Sequence, residues 1–361
     1  MASPAAGAPP AWAARLLAWY AQQRRTLPWR DHPDPYAIWV SEVMLQQTQV
    51  ETVIPYFTRF LARCPTVAAL AAAPLQDVLK LWEGLGYYSR ARQLHRAAHV
   101  VVADCGGALP RTAAALARLP GCGSYTAAAV ASLAFGEPVP AVDGNVLRVW
   151  CRFRAITDDP RTPTVRRAAT AALAPVLRRV PPADFNQALM ELGALVCRPR
   201  APTCLVCPLA PDCAACQQGR TAELPARVVR APTPHYEVAV GVLWHAGRLL
   251  LGQRPAGGML GGLWEFPGGK RQAGEPLTAT LVRRFAAETG LAVTPGSVIG
   301  QVRHAYSHFR ITVSAFACTV AAAPPPPTTL AVRWVTPAEA AALPLGRAAQ
   351  RLLALALAAA R

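Results

Sequence analysis

Between Trp12 and about Cys197 the apolar positions recur at helical spacing in Ala- and Leu-rich stretches, interrupted by Pro28, Pro74, Gly84, Gly86, Pro110, Gly121, Pro140 and Gly144. This pattern predicts an all-α domain of many short helices. After His235 the texture becomes alternating: EVAVGVLW, a HAGR turn, LLLGQR, then QVRHAYSHFRITVSAFACTV. These read as strands of a small α+β domain, with one helix at Leu277 to Glu288 and a helical tail from Thr336. QQGRTAELPARVVRAPTPH reads as a linker and the run Pro324 to Pro327 as a stiff connector. The predicted division is a disordered 1–11, a helical 12–196, a cysteine-rich window 197–216, a linker 217–234 and the α+β part 235–361, with no repeat at solenoid periods.

A chain of 361 residues accommodates two or three such domains. Its 37 Lys+Arg against 20 Asp+Glu give a formal charge of +17, which points to a polyanionic partner. Arginine supplies nearly all of it, since Lys80 and Lys270 are the only lysines, a bias that high genomic GC content also produces. No run approaches the roughly 18 consecutive apolar residues of a membrane span, and MASPAAGAPP lacks the basic and apolar regions of a secretory signal. The expectation is a soluble cytoplasmic protein with no membrane partner.

Five of the ten cysteines crowd one window, and Cys197, Cys204, Cys207 and Cys213 are spaced C-x6-C-x2-C-x5-C. Four thiolates from so short a loop can enclose Zn²⁺ or an iron–sulfur cluster, and spacing does not choose between them. Cys216 is a fifth, spare thiol. LPGCGSY at Leu119 to Tyr125 lies between helical runs, and Gly121 and Gly123 would let the backbone approach an anion, although an ordinary interhelical turn has the same look. Two carboxylates stand out. Glu42 shares a helical stripe with Ile38, Leu45 and Gln49, a setting that raises a carboxyl pKa toward that of a general acid, although a partly exposed Glu is also compatible with it. Asp143 precedes a helix and on local grounds reads first as an N-cap.

Together, SEVMLQQTQV, LWEGLGYYSRARQLH, LPGCGSYTAAAV, VDGNVLRV, NQALMELGALVC and the four-cysteine loop resemble the MutY-type adenine DNA glycosylases. These belong to the helix-hairpin-helix superfamily that also contains endonuclease III. The resemblance implies excision of adenine mispaired with 8-oxoguanine or guanine in double-stranded DNA, by a monomeric, bacterial, nucleoid-associated enzyme. It implies that LPGCG grips a DNA phosphate through Gly121 and Gly123, and that Cys197, Cys204, Cys207 and Cys213 hold a [4Fe–4S] cluster. Glu42 would protonate the leaving adenine and Asp143 would stabilise the sugar cation, as an N-glycosidic cleavage through an oxocarbenium-like centre requires. Tyr125 and Asn145 match positions that hold the flipped deoxyribose and the carboxylates, and Arg30 and Gln187 match the adenine pocket. Gln47 and Tyr87 match intercalating residues, with Thr48 beside the orphaned base.

GGKRQAGEPLTATLVRRFAAETGL resembles a Nudix box, with Arg284 and Ala287 where two glutamates belong. Without those acids the fold is expected to persist and the metal-dependent hydrolase to be lost. The loop Tyr306, Ser307 and His308 matches the family's contact to 8-oxoguanine, with Tyr306 in place of the usual Phe. Three rival readings are a bifunctional endonuclease III-type lyase, a nucleotide pyrophosphohydrolase and a non-catalytic DNA-binding redox sensor. The first needs a Schiff-base lysine where the chain has Tyr125. Arg284 and Ala287 oppose the second, and the carboxylate pair opposes the third.

Overall fold

The computed structural model describes residues 8–226, 232–321 and 331–360. The connector Pro324 to Pro327 and part of the predicted linker therefore lie outside the described residues. The chain divides into two compact units, and they do not follow chain order. The first is Met1–Ala71 with Arg96–Arg230, and the second is Ala72–His95 with Ala231–Arg361.

The first unit is helical, as the periodicity predicts. Its core joins the helix Ala11–Gln23 to Gly144–Phe153, Pro163–Leu177 and Pro182–Leu195. Leu16, Tyr20, Leu147, Phe153, Phe185 and Leu192 fill it, and the Trp12 ring packs 5.2 Å from Phe153 and 5.8 Å from Phe185. Full burial of each such side chain contributes about 1.5–3 kcal/mol. The short helix Ala113–Leu116, capped by Thr112, leads into the Leu119–Tyr125 turn. Gly121 takes φ +74° there, a left-handed conformation that glycine adopts without strain. Gly123 then starts the helix Ser124–Phe135 with no side-chain cap, which leaves first-turn N–H groups for an outside acceptor.

The second unit holds a seven-stranded sheet: β1 His235–His245, β2 Arg248–Gln253, β3 Trp264–Glu265, β4 Gly268–Lys270, β5 Thr294–Ala305, β6 Arg310–Thr319 and β7 Ala331–Val335. The strand order is β3-β2-β1-β6-β5, with β4 also on β1 and β7 on β2. Alternation explains its two buried faces. Val240, Val242, Leu249, Leu251 and Val313 pack with Leu352 and Leu353 of the helix Arg347–Ala359. Ala239, Leu243, Leu250 and Phe316 pack with Leu281 and Phe285 of the helix Leu277–Thr289. Gly241 is required on that second face, because a Cβ there would stand 2.7 Å from the Phe285 ring. The HAGR turn is the β1–β2 hairpin, with Ala246 and Gly247 both at positive φ. Thr336 caps the helix Pro337–Ala342 through a capping box with Glu339.

Residues 72–95 join this sheet through polar contacts. Gln76 donates to Gly262 O (3.1 Å) and accepts from Trp264 Nε1 (3.0 Å). Lys80 donates to Ala341 O and Leu343 O, Glu83 accepts from Leu345 N at 2.8 Å, and Arg92 donates to Gly261 O at 2.9 Å. No helix among the described residues is long and apolar enough to cross a membrane.

Candidate active site

A cavity of about 790 Å³ in the first unit collects Glu42, Asp143, Tyr125, Asn145, Arg30, Gln187, Gln47, Thr48, Gly121 and Gly123 in its lining. Residues drawn from widely separated parts of the sequence therefore meet in one place. Tyr87, Tyr306, Ser307 and His308 belong to the second unit.

Glu42 lies on the helix Pro35–Leu45, which Asp34 caps by accepting from Tyr36 N, and its side chain is only 5% exposed. Burial pushes its carboxyl up to about 7, and the nearby Asp143 charge adds to the rise, while a hydrogen bond from Tyr125 Oη to Oε2 (3.1 Å) opposes it. Tyr125 also reaches Met190 Sδ at 3.3 Å.

Asp143 is both the N-cap and a cavity residue. Its Oδ1 accepts from Val146 N at 2.7 Å, at the start of the helix Gly144–Phe153, and Oδ2 accepts from Asn145 Nδ2 at 2.9 Å. Burial raises its pKa, and these bonds with the Arg148 charge pull it back. One carboxyl thus has little help in ionising, and the other has fixed donors for its anion.

Arg148 extends this arrangement to the cysteine loop. It donates to Asn145 Oδ1, Gly193 O and Cys197 O, each at 2.7 Å. Asn145 sits so close to the helix Pro182–Leu195 that a Cβ at Gly193 would stand 2.7 Å from its Cβ.

Also in the cavity lining, Arg30 donates from Nε to Gln187 Oε1 at 3.0 Å. Its Nη atoms reach Glu191 Oε1 and Oε2 at 3.3 and 3.1 Å. Glu191 also accepts from Arg25 N, Nε and Nη2 at 2.9, 2.9 and 3.0 Å. Its buried carboxyl is held down to about 2 because the Arg25 and Arg30 hydrogen bonds outweigh desolvation. The sequence reading did not single out Glu191, Arg25 or Arg148. Glu191 had a signal, since it lies four residues beyond Gln187 on one helix face.

Gln47 and Tyr87 share an unusual backbone, at φ +58° and +49°, which non-glycine residues rarely adopt and which concentrates at functional sites. Tyr87 is 38% exposed, whereas Tyr88 is core at 4%. Ser307 and His308 form the exposed tip between β5 and β6, closed by Tyr306 N donating to Phe309 O at 2.8 Å. Tyr306 itself is partly buried against the ring of Phe309, at 5.0 Å.

Cys197, Cys204, Cys207 and Cys213 line one small cavity, and Cys216 lines it too. Among the described residues no three His, Cys, Asp or Glu side chains are grouped to hold a single metal ion. Arg152 is 2% exposed and donates to Cys197 Sγ at 3.3 Å, to Leu224 O and Arg198 O at 2.7 Å each, and no ion pair with a carboxylate is found for it among the described residues. A buried guanidinium needs a nearby negative charge, so this donor set fits an anionic thiolate-bound cluster.

In the second unit the remaining acids of the Nudix-like box are committed to arginines. Glu275 pairs with Arg283, and Glu288 pairs with Arg284 while accepting from Gly268 N. Both lysines of the chain also lie in that unit, and none lines the first-unit cavity among the described residues.

The family model for the HhH-GPD superfamily base excision DNA repair protein matches residues 40–175, and that for the NUDIX domain matches residues 239–355. A solved thermostable thymine-DNA glycosylase is similar with a TM-score of 0.52 and 32% identity, covering 57% of this chain and 95% of that one. The rat adenine DNA glycosylase is 39% identical over 89% of this chain and 73% of its own length, and the human one 38% over 90% and 70%. A helical unit matching the first model, a sheet unit matching the second and relatives that align through both place this chain in the adenine DNA glycosylase family.

Proposed function

We propose that this chain is a monofunctional glycosylase that hydrolyses the N-glycosidic bond of adenine mispaired with 8-oxoguanine, or with guanine, in duplex DNA. The observation that carries this reading is the pairing, in one cavity, of a carboxyl raised to about 7 by burial with a second whose anion is hydrogen-bonded. Adenine enters the cavity after flipping out of the stack. Glu42, protonated near neutral pH, delivers its proton to the departing base. Asp143, whose anion accepts from Val146 N and Asn145 Nδ2, faces the positive charge that develops on the sugar. Tyr125 orients Glu42 through its hydroxyl, and Gln187, itself held by Arg30, contacts the base.

Around that centre Gly121 and Gly123 admit a backbone phosphate, and Gln47 and Tyr87 fill the vacated stack with Thr48 beside the opposite base. Tyr306, Ser307 and His308 read 8-oxoguanine. Cys197, Cys204, Cys207 and Cys213 are the ligands for a [4Fe–4S] cluster, with Arg152 as the buried counter-charge. That group, when bound, brings an electron-transfer capability. The residues themselves tie the loop to Asn145 through Arg148.

The test uses duplexes carrying one adenine opposite 8-oxoguanine, guanine, cytosine or thymine, with base release and strand breakage measured separately. Adenine release opposite 8-oxoguanine and guanine, with strand breakage only after alkali, supports the reading. Efficient borohydride trapping of the protein on DNA would instead favour a lyase, which the tyrosine at 125 cannot perform by imine formation.

A further inference from the structure

We infer that Glu191 is a positioning residue that fixes which way round the Gln187 amide presents itself to the base, and so makes the pocket choose an amino group over a carbonyl at the purine 6-position. The inference rests on the adenine glycosylase reading and deepens it.

The argument starts from donor and acceptor inventory. An arginine Nε can only donate, so the Gln187 atom 3.0 Å from Arg30 Nε is its carbonyl oxygen, and the amide N–H donors occupy the other position. Turning the amide over would aim N–H at the guanidinium. That choice is fixed only while Arg30 itself is fixed, and Arg30 is held on three sides. Its Nη1 donates to Arg25 O at 2.6 Å, its Nη atoms grip both oxygens of Glu191, and its guanidinium lies 5.5 Å from the centre of the Tyr20 ring. Glu191 is the hub, 2% exposed, and Arg25 closes its remaining acceptor positions.

A glutamine amide reads adenine by donating to a ring nitrogen and accepting from the neighbouring exocyclic amino group. Oxygen has two lone pairs, so the Gln187 carbonyl can accept from Arg30 and from the amino group together. Hypoxanthine replaces that amino group with a carbonyl, and the locked amide would meet it oxygen to oxygen. An unlocked amide could turn and donate instead. Arg30 therefore acts on the base through Gln187, and Glu191 acts through Arg30.

The experiment measures single-turnover release from duplexes with one adenine or one hypoxanthine opposite 8-oxoguanine. The wild-type chain is expected to prefer adenine. Glu191→Gln should cut that preference by about tenfold or more, the range set by one bidentate base contact. Arg30→Lys, which keeps a cation for Glu191 but removes the Nε donor aimed at Gln187, should do the same and stands in if Glu191→Gln does not fold. In a Gln187→Ala background, Glu191→Gln should leave the adenine to hypoxanthine ratio where Gln187→Ala put it. Equal loss on both bases, with the ratio unchanged in Glu191→Gln and Arg30→Lys, overturns the lock and leaves the glycosylase reading standing. Absence of adenine release by the wild-type chain overturns that reading, and the lock falls with it.

Discussion

Tyr87 Oη and Ser307 Oγ lie 2.5 Å apart, a hydrogen bond across 220 positions of sequence that joins the Gly86–Tyr87 turn to the tip of the β5–β6 hairpin. Tyr87 is also faced by the Arg90 guanidinium, 5.4 Å from its ring centre. The residue proposed to fill the stack and the residue proposed to read the lesion thus hold each other.

Ser307→Ala and Tyr87→Phe should therefore each lower the preference for 8-oxoguanine over guanine opposite adenine, by about 1–3 kcal/mol at most. The double variant should cost little more than the worse single, because either change breaks the same bond. Adenine release rates with both opposite bases, in all four proteins, check this. Full additivity would show that the two side chains act separately.

The pH dependence of adenine release should be bell-shaped. In the proposed acid role Glu42 acts when protonated, so the rate should fall as pH rises through about 7, the value to which burial lifts it. In its proposed role Asp143 acts when ionised, so the rate should also fall on the acid side, at a pH above the ordinary aspartate value because its burial raises it. The two apparent values belong to the coupled pair. Glu42→Gln should abolish release and leave duplex binding nearly intact. A flat profile from pH 5 to about 9 would remove Glu42 from the acid role.

Protein purified anaerobically should contain iron and sulfide and show visible absorbance. Arg148→Gln should keep that absorbance while slowing adenine release by about 10–100-fold, because Asn145 and through it Asp143 lose their anchor. Zinc at stoichiometric amount without iron would refute the cluster. Loss of colour in Arg148→Gln would mean that the arginine serves the loop first.

Deleting residues from 232 onward should lower the melting temperature of what remains. Gln76, Lys80, Glu83, Tyr87 and Arg92 each lose a partner in the sheet unit, at a net cost of about 0.5–1.5 kcal/mol per hydrogen bond. The catalytic candidates all precede residue 214, so the chemistry should survive at low temperature while discrimination of 8-oxoguanine from guanine falls further than excision. A truncated protein with unchanged melting and unchanged discrimination would argue against both statements.

Much of this was legible in the sequence where the signal is local. The stripe of Ile38, Glu42 and Leu45 makes Glu42 a candidate buried acid, and the texture of EVAVGVLW marks a strand, whereas the burial of both its faces is visible only in the structure. Asp143 carried two meanings at once, and its local cap signal concealed its place in the cavity. Helical spacing puts Glu191 on the face of Gln187, but the partners that give Glu191 and Arg148 their roles are remote and leave no local mark, Arg25 lying 166 positions from Glu191 and Cys197 49 from Arg148. The strands β3 and β4 are too short, at two and three residues, to show alternation. The assignment of residues 72–95 to the sheet unit follows from contacts that no composition shift announces.

The close approach of Asn145 to Gly193 bears on how this enzyme tolerates inherited change. Gly193 is not in the cavity lining, although Glu191 and Ala194 of the same helix are. Yet adding a single methyl group there must displace Asn145, and with it the donor to Asp143. By residue similarity alone Gly193→Ala would rank as a conservative change, yet under the proposed roles of Asn145 and Asp143 it should slow adenine release much as loss of the Asn145 donor would.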